Sequence, residues 1–226
     1  MGPFSLQKWQ ASLSNFPMLL EGLGVTLIVA ATGLALAMII GVVFGVLSSS
    51  HWKVARFFAR VYVEFFQNTP LLIQVFLLYN ALPLIAPKAV IPVTVVGVMG
   101  VGFYHGAYIA EVVRAGIQSI HQGQIEAALS QGFSYIQAMR HVIIPQALRV
   151  VLPPLTNQAV VLIKNTSILA VIAGGDLMYR GDSYAGSVGN YGPTYVVVGL
   201  LYFALCYPLA VLTKKLEDRS EVHGNA

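Results

Sequence analysis

Apolar residues in this chain come in long runs, separated by short polar stretches. Gly22–Leu47 is the clearest run and contains no charged residue. About 20 apolar residues cross roughly 30 Å of hydrocarbon as a helix. The run lacks the basic leader and short apolar core of a secretory signal, so it reads as a retained span. Similar runs at about 61–85, 90–113, 150–173 and 193–213 predict four more, with Pro70 near the start of the second. The expectation is an all-α polytopic membrane protein with five transmembrane helices, residues 1–226 forming one transmembrane domain. Gly41-x-x-x-Gly45 and Gly102-x-x-x-Gly106 have a spacing that lets helices approach closely.

Composition agrees. The chain is 57% hydrophobic and only 10% charged, with a mean hydropathy of +0.73. A soluble domain of this length needs far more charge to cover its surface. The formal charge of +4 is a matter of loop topology and does not point to nucleic acid. Lys53, Arg56, Arg60, Arg114, Arg140, Arg149, Lys214, Lys215 and Arg219 fall on one side of the predicted spans, and only Lys8, Lys88 and Arg180 on the other. The positive-inside rule places the larger group in the cytoplasm, with the N-terminus outside and the C-terminus inside. Cys206 is the only cysteine, which excludes an intrachain disulfide and any Cys/His metal cluster.

The segment between the third and fourth spans, 119–145, is too polar to cross a membrane and too patterned to be a tether. Ile125, Ala128 and Leu129 predict a short helix over Gln124–Gln131. Gly132 would end it, because glycine adopts the left-handed conformation without a Cβ penalty. Ser134 and Gln137 have capping-box spacing for a second helix, along which Ile136, Met139 and Ile143 form an apolar stripe. Pro145 is expected to break or bend the chain. The result is a helix–glycine–helix elbow. Local physics leaves two readings open: an amphipathic hairpin lying on lipid, or a docking surface for a partner.

Glu126-Ala127-Ala128-x-x-x-Gly132, followed by Val142-x-Ile144-Pro145, resembles the EAA motif of ABC importer permeases. Asn68-Thr69-Pro70-Leu71-Leu72-Ile73-Gln74, Ala107–Ile117 and Lys164-Asn165-Thr166-Ser167 are similar to segments of the polar amino acid branch of that family. Gln67 departs from the pattern, since relatives commonly carry arginine there. The resemblance implies the type I ABC importer permease fold in a bacterial cytoplasmic (inner) membrane. It implies that Glu126, Ala127, Ala128, Gly132, Val142, Ile144 and Pro145 form the coupling surface for a separate ATPase subunit. It also implies a second permease subunit, identical or similar, an extracytoplasmic amino-acid-binding protein, and an amino acid substrate.

Ionisable residues inside a membrane are costly and therefore functional candidates. Lys164 lies 15 residues after Arg149, or about 22 Å along a helix. Under the resemblance it would attract the substrate's α-carboxylate, with Asn165, Thr166, Ser167, Asn68 and Thr69 as neutral partners. The alternative is a structural or gating lysine. Arg60 with Glu64, and Glu111 with Arg114, have helical spacing for ion pairs. These read as structural, or as links that carry the elbow's movement. His105 reads as a packed or hydrogen-bonded residue, with no relay partner visible in the sequence. The stretch Gly174–Gly192 reads either as a contact for the binding protein or as a solvated loop with a short helix.

The phosphate-binding signature G-x-x-x-x-G-K-[ST] is absent, and no Gly-Lys dipeptide occurs. The chain is thus expected to be no enzyme and to hold no cofactor, with ATP and Mg bound by the partner ATPase. Two other classes stand beside this reading. A gradient-driven secondary transporter would need its own ion site and, usually, repeated halves; neither is visible. A non-transporting membrane scaffold would use the elbow only for attachment.

Overall fold

The computed structural model describes residues 2–224, with side chains described through residue 218. Met1, Asn225 and Ala226, at the ends of the expected domain, lie outside the described residues, and the side chain of Arg219 is likewise not described. The helices are α1 (Leu6–Ser14), α2 (Phe16–Ser48), α3 (Lys53–Gln67), α4 (Leu71–Ile85) and α5 (Val93–Gln118). They continue as α6 (Gln122–Ser130), α7 (Tyr135–Ala138), α8 (Ile144–Asn165), α9 (Leu177–Val188) and α10 (Tyr191–Gly224). A π turn, Met139–Ile143, joins α7 to α8, and a 3₁₀ segment, Thr166–Ile172, extends α8.

α2 and α5 form the central pair, and small residues set their separation. A Cβ at Gly41 would lie 2.3 Å from Ile109 Cγ2, and one at Gly45 would lie 2.6 Å from Val113 Cβ. On the facing helix, Gly102 receives Leu36 and Gly106 receives Ile40 and the hydroxyl of Tyr62. Both glycine pairs seen in the sequence therefore lie in this seam, each admitting a branched side chain. Water provides no driving force between helices in lipid, so such van der Waals packing holds them together. Val29, Ala37, Val101 and Ile109 are fully buried there, and Val160, Leu162 and Leu169 add the α8 and 3₁₀ side of the core.

Several elements differ from expectation. Four stretches are long and apolar enough to span alone: Phe16–Ser48, Val93–Gln118, Tyr135–Ile172 and Tyr191–Asp218. The expected single span at 61–85 is instead the pair α3 and α4, bent by 103°. The break falls at Asn68-Thr69-Pro70, because proline disfavours a helical residue before it. Pro145 does not break the chain. It sits in the first turn of α8. The preceding turn widens to π geometry, where a proline ring would otherwise meet the carbonyl four residues back. The elbow and the fourth span are thus continuous from Tyr135 to Ile172.

α1, which hydrophobic runs did not reveal, is tied down by polar contacts. Asn190 Nδ2 donates to the Lys8 carbonyl at 2.8 Å and to Ser12 Oγ at 2.9 Å. Gly174–Gly192 contains a short helix, one of its two expected readings, but that helix is docked on the bundle and not wholly solvated. Its helix α9 buries Leu177, Gly181 and Ala185, and the Leu177 N–H donates to Thr26 Oγ1 of α2 at 3.1 Å. Asp176 caps α9 through Oδ2, which accepts from the Met178 N–H at 3.0 Å. Its Oδ1 is buried without a hydrogen-bond partner. Burial pushes this carboxyl up to about 6 from its ordinary 3.8. Between those values the folded chain holds a proton that the unfolded chain has released. Stability from this group is complete below about pH 4 and falls as pH rises through about 6. In detergent, Asp176→Asn should raise the thermal midpoint at pH 7 and leave it nearly unchanged at pH 4. An identical wild-type and mutant difference at both pH values would contradict this.

Candidate functional site

Two places gather the residues singled out in the sequence. The first is the elbow. α6 begins at His121, whose Nδ1 accepts from the Gly123 N–H at 3.1 Å. It ends in a Schellman arrangement: the Phe133 N–H donates to the Ala128 carbonyl at 3.1 Å, and the Gly132 N–H to that of Leu129 at 3.0 Å. This closure needs a left-handed residue, and Gly132 has φ +87°. Ser134 then starts α7 with a complete capping box. Its N–H donates to Gln137 Oε1 at 2.8 Å, and its Oγ accepts from the Gln137 N–H at 3.3 Å.

Burial divides the elbow into an inner and an outer surface. Ala128, Ala138 and Ile143 are buried, whereas Glu126, Ala127 and Pro145 are exposed. Ile136 is 76% exposed, and Leu129, Phe133, Tyr135 and Ile144 also present apolar surface. Val142 is partly covered. The expected stripe of Ile136, Met139 and Ile143 does not lie on one face, because the π turn rotates Ile143 inward while Ile136 points out. One further contact was not legible in the sequence: His51, in the α2–α3 connection, packs edge-on against Tyr135 with centroids 5.4 Å apart.

The second place is where α3, α4, α5 and the end of α8 meet. The break between α3 and α4 is held by Gln74. This residue is 4% exposed. Its Nε2 donates to the carbonyls of Phe66 (3.0 Å) and Thr69 (3.1 Å) and to Thr69 Oγ1 (2.7 Å). Within a span, backbone groups freed by a bend need such internal partners. Asn68 Nδ2 donates to the Glu64 carbonyl at 2.8 Å, and Thr69 Oγ1 to that of Phe65 at 2.7 Å. Gln67 donates from Nε2 to the Ala107 carbonyl of α5 at 3.3 Å. Tyr62 Oη donates to the Phe103 carbonyl at 2.7 Å.

Lys164 is exposed near the C-terminal end of α8, where the helix tightens to 3₁₀. The four residues Lys164–Ser167 are not equivalent. Thr166 is fully buried, with Oγ1 donating to the Ile163 carbonyl at 2.7 Å. Ser167 Oγ donates to the Lys164 carbonyl at 2.8 Å. Asn165 Nδ2 lies 3.1 Å from His105 Nε2, and His105 Nδ1 lies 3.1 Å from Gln158 Oε1. A neutral imidazole protonated on Nδ1 satisfies both contacts, donating to Gln158 and accepting from Asn165. His105 is therefore a polar strut between α5 and α8, and its partners stand too far away in sequence to be read there.

Both expected ion pairs form. Arg60 Nε lies 3.9 Å from Glu64 Oε1. Arg114 makes a two-point contact with both carboxylate oxygens of Glu111 and donates from Nη1 to Gln118 Oε1 at 2.6 Å. These residues line a cavity of about 750 Å³ between α3 and α5, at the end of the bundle that carries the elbow. Among the described residues, no group of three or more His, Cys, Asp or Glu side chains is placed to hold a metal ion.

Comparisons with known proteins agree with this arrangement. Residues 37–222 match the family described as the binding-protein-dependent transport system inner membrane component. The chain is 41% identical over 207 residues to the probable glutamine ABC transporter permease protein GlnM of Bacillus subtilis, covering 92% of this chain and 95% of that protein. It is 34% identical over 216 residues to the glutamine transport system permease protein GlnP of Escherichia coli K12, covering 95% and 98% respectively. Among solved structures, it matches a chain of an amino acid ABC transporter crystallised with histidines at TM-score 0.85 and 32% identity, over 93% of this chain and 98% of that one. A chain of the inward-facing MetNI methionine ABC transporter shares the fold at TM-score 0.73 and 19% identity, over 90% and 98%. The chain belongs to the binding-protein-dependent transport system inner membrane component family, and is a membrane permease component without catalytic chemistry of its own.

Proposed function

We propose that this chain is the permease subunit of an ABC importer for a polar amino acid in a bacterial inner membrane. A separate ATPase docks on its elbow, a second permease subunit completes the pathway, and an external binding protein delivers the substrate. The observation that carries this reading is the elbow itself. Exposed Glu126 and Ala127 on α6 and Ile136 on α7 flank a closed Schellman turn, and from Tyr135 the helix runs on into the fourth span. A rigid connection of this kind transmits a push at α6 to Lys164 at the far end of α8. ATP and Mg bind the partner, and ATP binding would favour one of two packings of the spans. The glutamine permeases among the relatives support an uncharged polar amino acid.

Lys164 supplies an exposed cation at the outer end of α8, beside the 3₁₀ segment. Asn165 and Thr166 are held by the protein, which leaves them to shape the backbone there rather than to meet substrate freely. Lys164→Met in the assembled, reconstituted complex should lower glutamine uptake at least about tenfold, as expected on losing a charge-assisted contact of roughly 1.5–3 kcal/mol. Unchanged uptake with normal assembly would remove the lysine from transport. Full uptake in proteoliposomes lacking any ATPase would instead favour a gradient-driven carrier.

A further inference from the structure

The cavity between α3 and α5 has a charge balance that ion pairing alone leaves unresolved. Lys53, Arg56, Arg60 and Arg114 line it, against Glu64 and Glu111. Arg60 is matched by Glu64, and Arg114 by Glu111. Among the described residues, no ion pair engages Lys53 or Arg56, so two positive charges remain in one concave site. All three α3 cations follow helical spacing, at 53, 56 and 60, and share the cavity side of the helix.

The other side of α3 is of opposite character. Val54, Phe58, Val61 and Phe65 are exposed, and Trp52, immediately before the helix, is 78% exposed. In a membrane protein such a surface meets acyl chains, and tryptophan favours the boundary between chains and headgroups. α3 is thus an amphipathic helix, with a cationic cavity on one side and an exposed apolar surface on the other. A soluble anion needs only the cavity. An amphiphile uses both surfaces. Basic pockets between helices at a membrane surface are suited to acidic headgroups.

We infer that this cavity binds the phosphate of an acidic phospholipid headgroup, with Lys53 and Arg56 as its principal partners and the acyl chains lying along the Val54–Phe65 face of α3. The chemistry recognised is a phosphate anion, and the neighbouring apolar face selects the lipid form over free phosphate.

The test uses the permease assembled with its ATPase partner in nanodiscs of phosphatidylcholine containing a minority of phosphatidylglycerol, with retained lipid counted by native mass spectrometry. Wild type should retain phosphatidylglycerol. The double substitution K53Q/R56Q should weaken retention about 30-fold, near a factor of five for each cation removed. The charge-conserving K53R/R56K should restore it, and K214Q/K215Q, at the distant end of α10, should leave it unchanged. If the double variant does not assemble, R56Q alone reads the same site at about fivefold. Equal retention by wild type and the cavity variants, or equal loss in K214Q/K215Q, overturns the site. Displacement of the lipid by inorganic phosphate at comparable concentration overturns the lipid assignment and makes the occupant a soluble anion.

Discussion

Gly132→Val should reduce ATP-driven uptake about 30-fold while leaving the spans folded. At φ +87° the residue lies in the left-handed region, which costs an ordinary side chain about 1–2 kcal/mol and a β-branched one more. A free-energy change near 2 kcal/mol alters the population of the closed elbow by about 30-fold. No atom lies within 4 Å of the position a Cβ would occupy, so the effect is conformational rather than steric. Gly132→Asn separates the two causes, because asparagine visits the left-handed region more readily. Asparagine should retain most uptake and most ATPase binding in a pull-down, and valine should lose both. Equal losses in the two variants would mean that backbone conformation at Gly132 is not what the elbow requires.

A different failure is expected from Gly41→Val. Here the added Cβ would lie 2.3 Å from Ile109 Cγ2, 2.5 Å from Ile109 Cβ and 3.0 Å from the Gly106 carbonyl oxygen. These atoms are a side-chain stem and a backbone group, not a flexible tip, so α2 and α5 must separate. Overpacking of this kind costs about 3 kcal/mol or more. Because the pair is the centre of the bundle, the expected result is loss of monodisperse protein and a sharply lower thermal midpoint. Gly41→Ala combined with Ile109→Ala should recover much of the fold, because it removes the side chain that fills the groove. A normal midpoint for Gly41→Val would show that the seam is looser than its geometry implies.

These two glycines illustrate what can be read before folding. Gly132 was legible because its neighbours are local: a short apolar helix before it, and Ser134 with Gln137 after it. Every partner in the Schellman turn and capping box lies within five residues. The i, i+3 and i+4 pairs of Arg114 and Arg60 were legible for the same reason. Gly41 was visible only as a spacing. That its knob is Ile109 depends on how two helices are rotated against each other, which local pattern does not encode.

The misread elements share a cause. The second span looked continuous because hydropathy averages over the three residues that break it, yet Pro70 and the Gln74 amide turn the chain by 103°. Pro145 looked like a stop because its missing N–H is a local cost, yet a single π turn absorbs it. The stretch Gly174–Gly192 holds a short helix, as one of its two readings expected, but Asp176 and Thr26, far apart in the chain, cap and dock that helix instead of leaving it in solvent.

The sequence by itself determined the membrane character, the span-forming runs, the elbow and its glycine hinge, since each follows from hydrophobic length or from interactions within one or two helical turns. Tertiary structure alone decided three further features: the bend of the second span, the His105–Asn165 strut, and the union of Lys53 and Arg56 with α5 in one cavity. In the last two the free energy comes from groups brought together across tens of residues; the bend is held by groups within eight residues, whose meeting depends on the turn that the chain makes there.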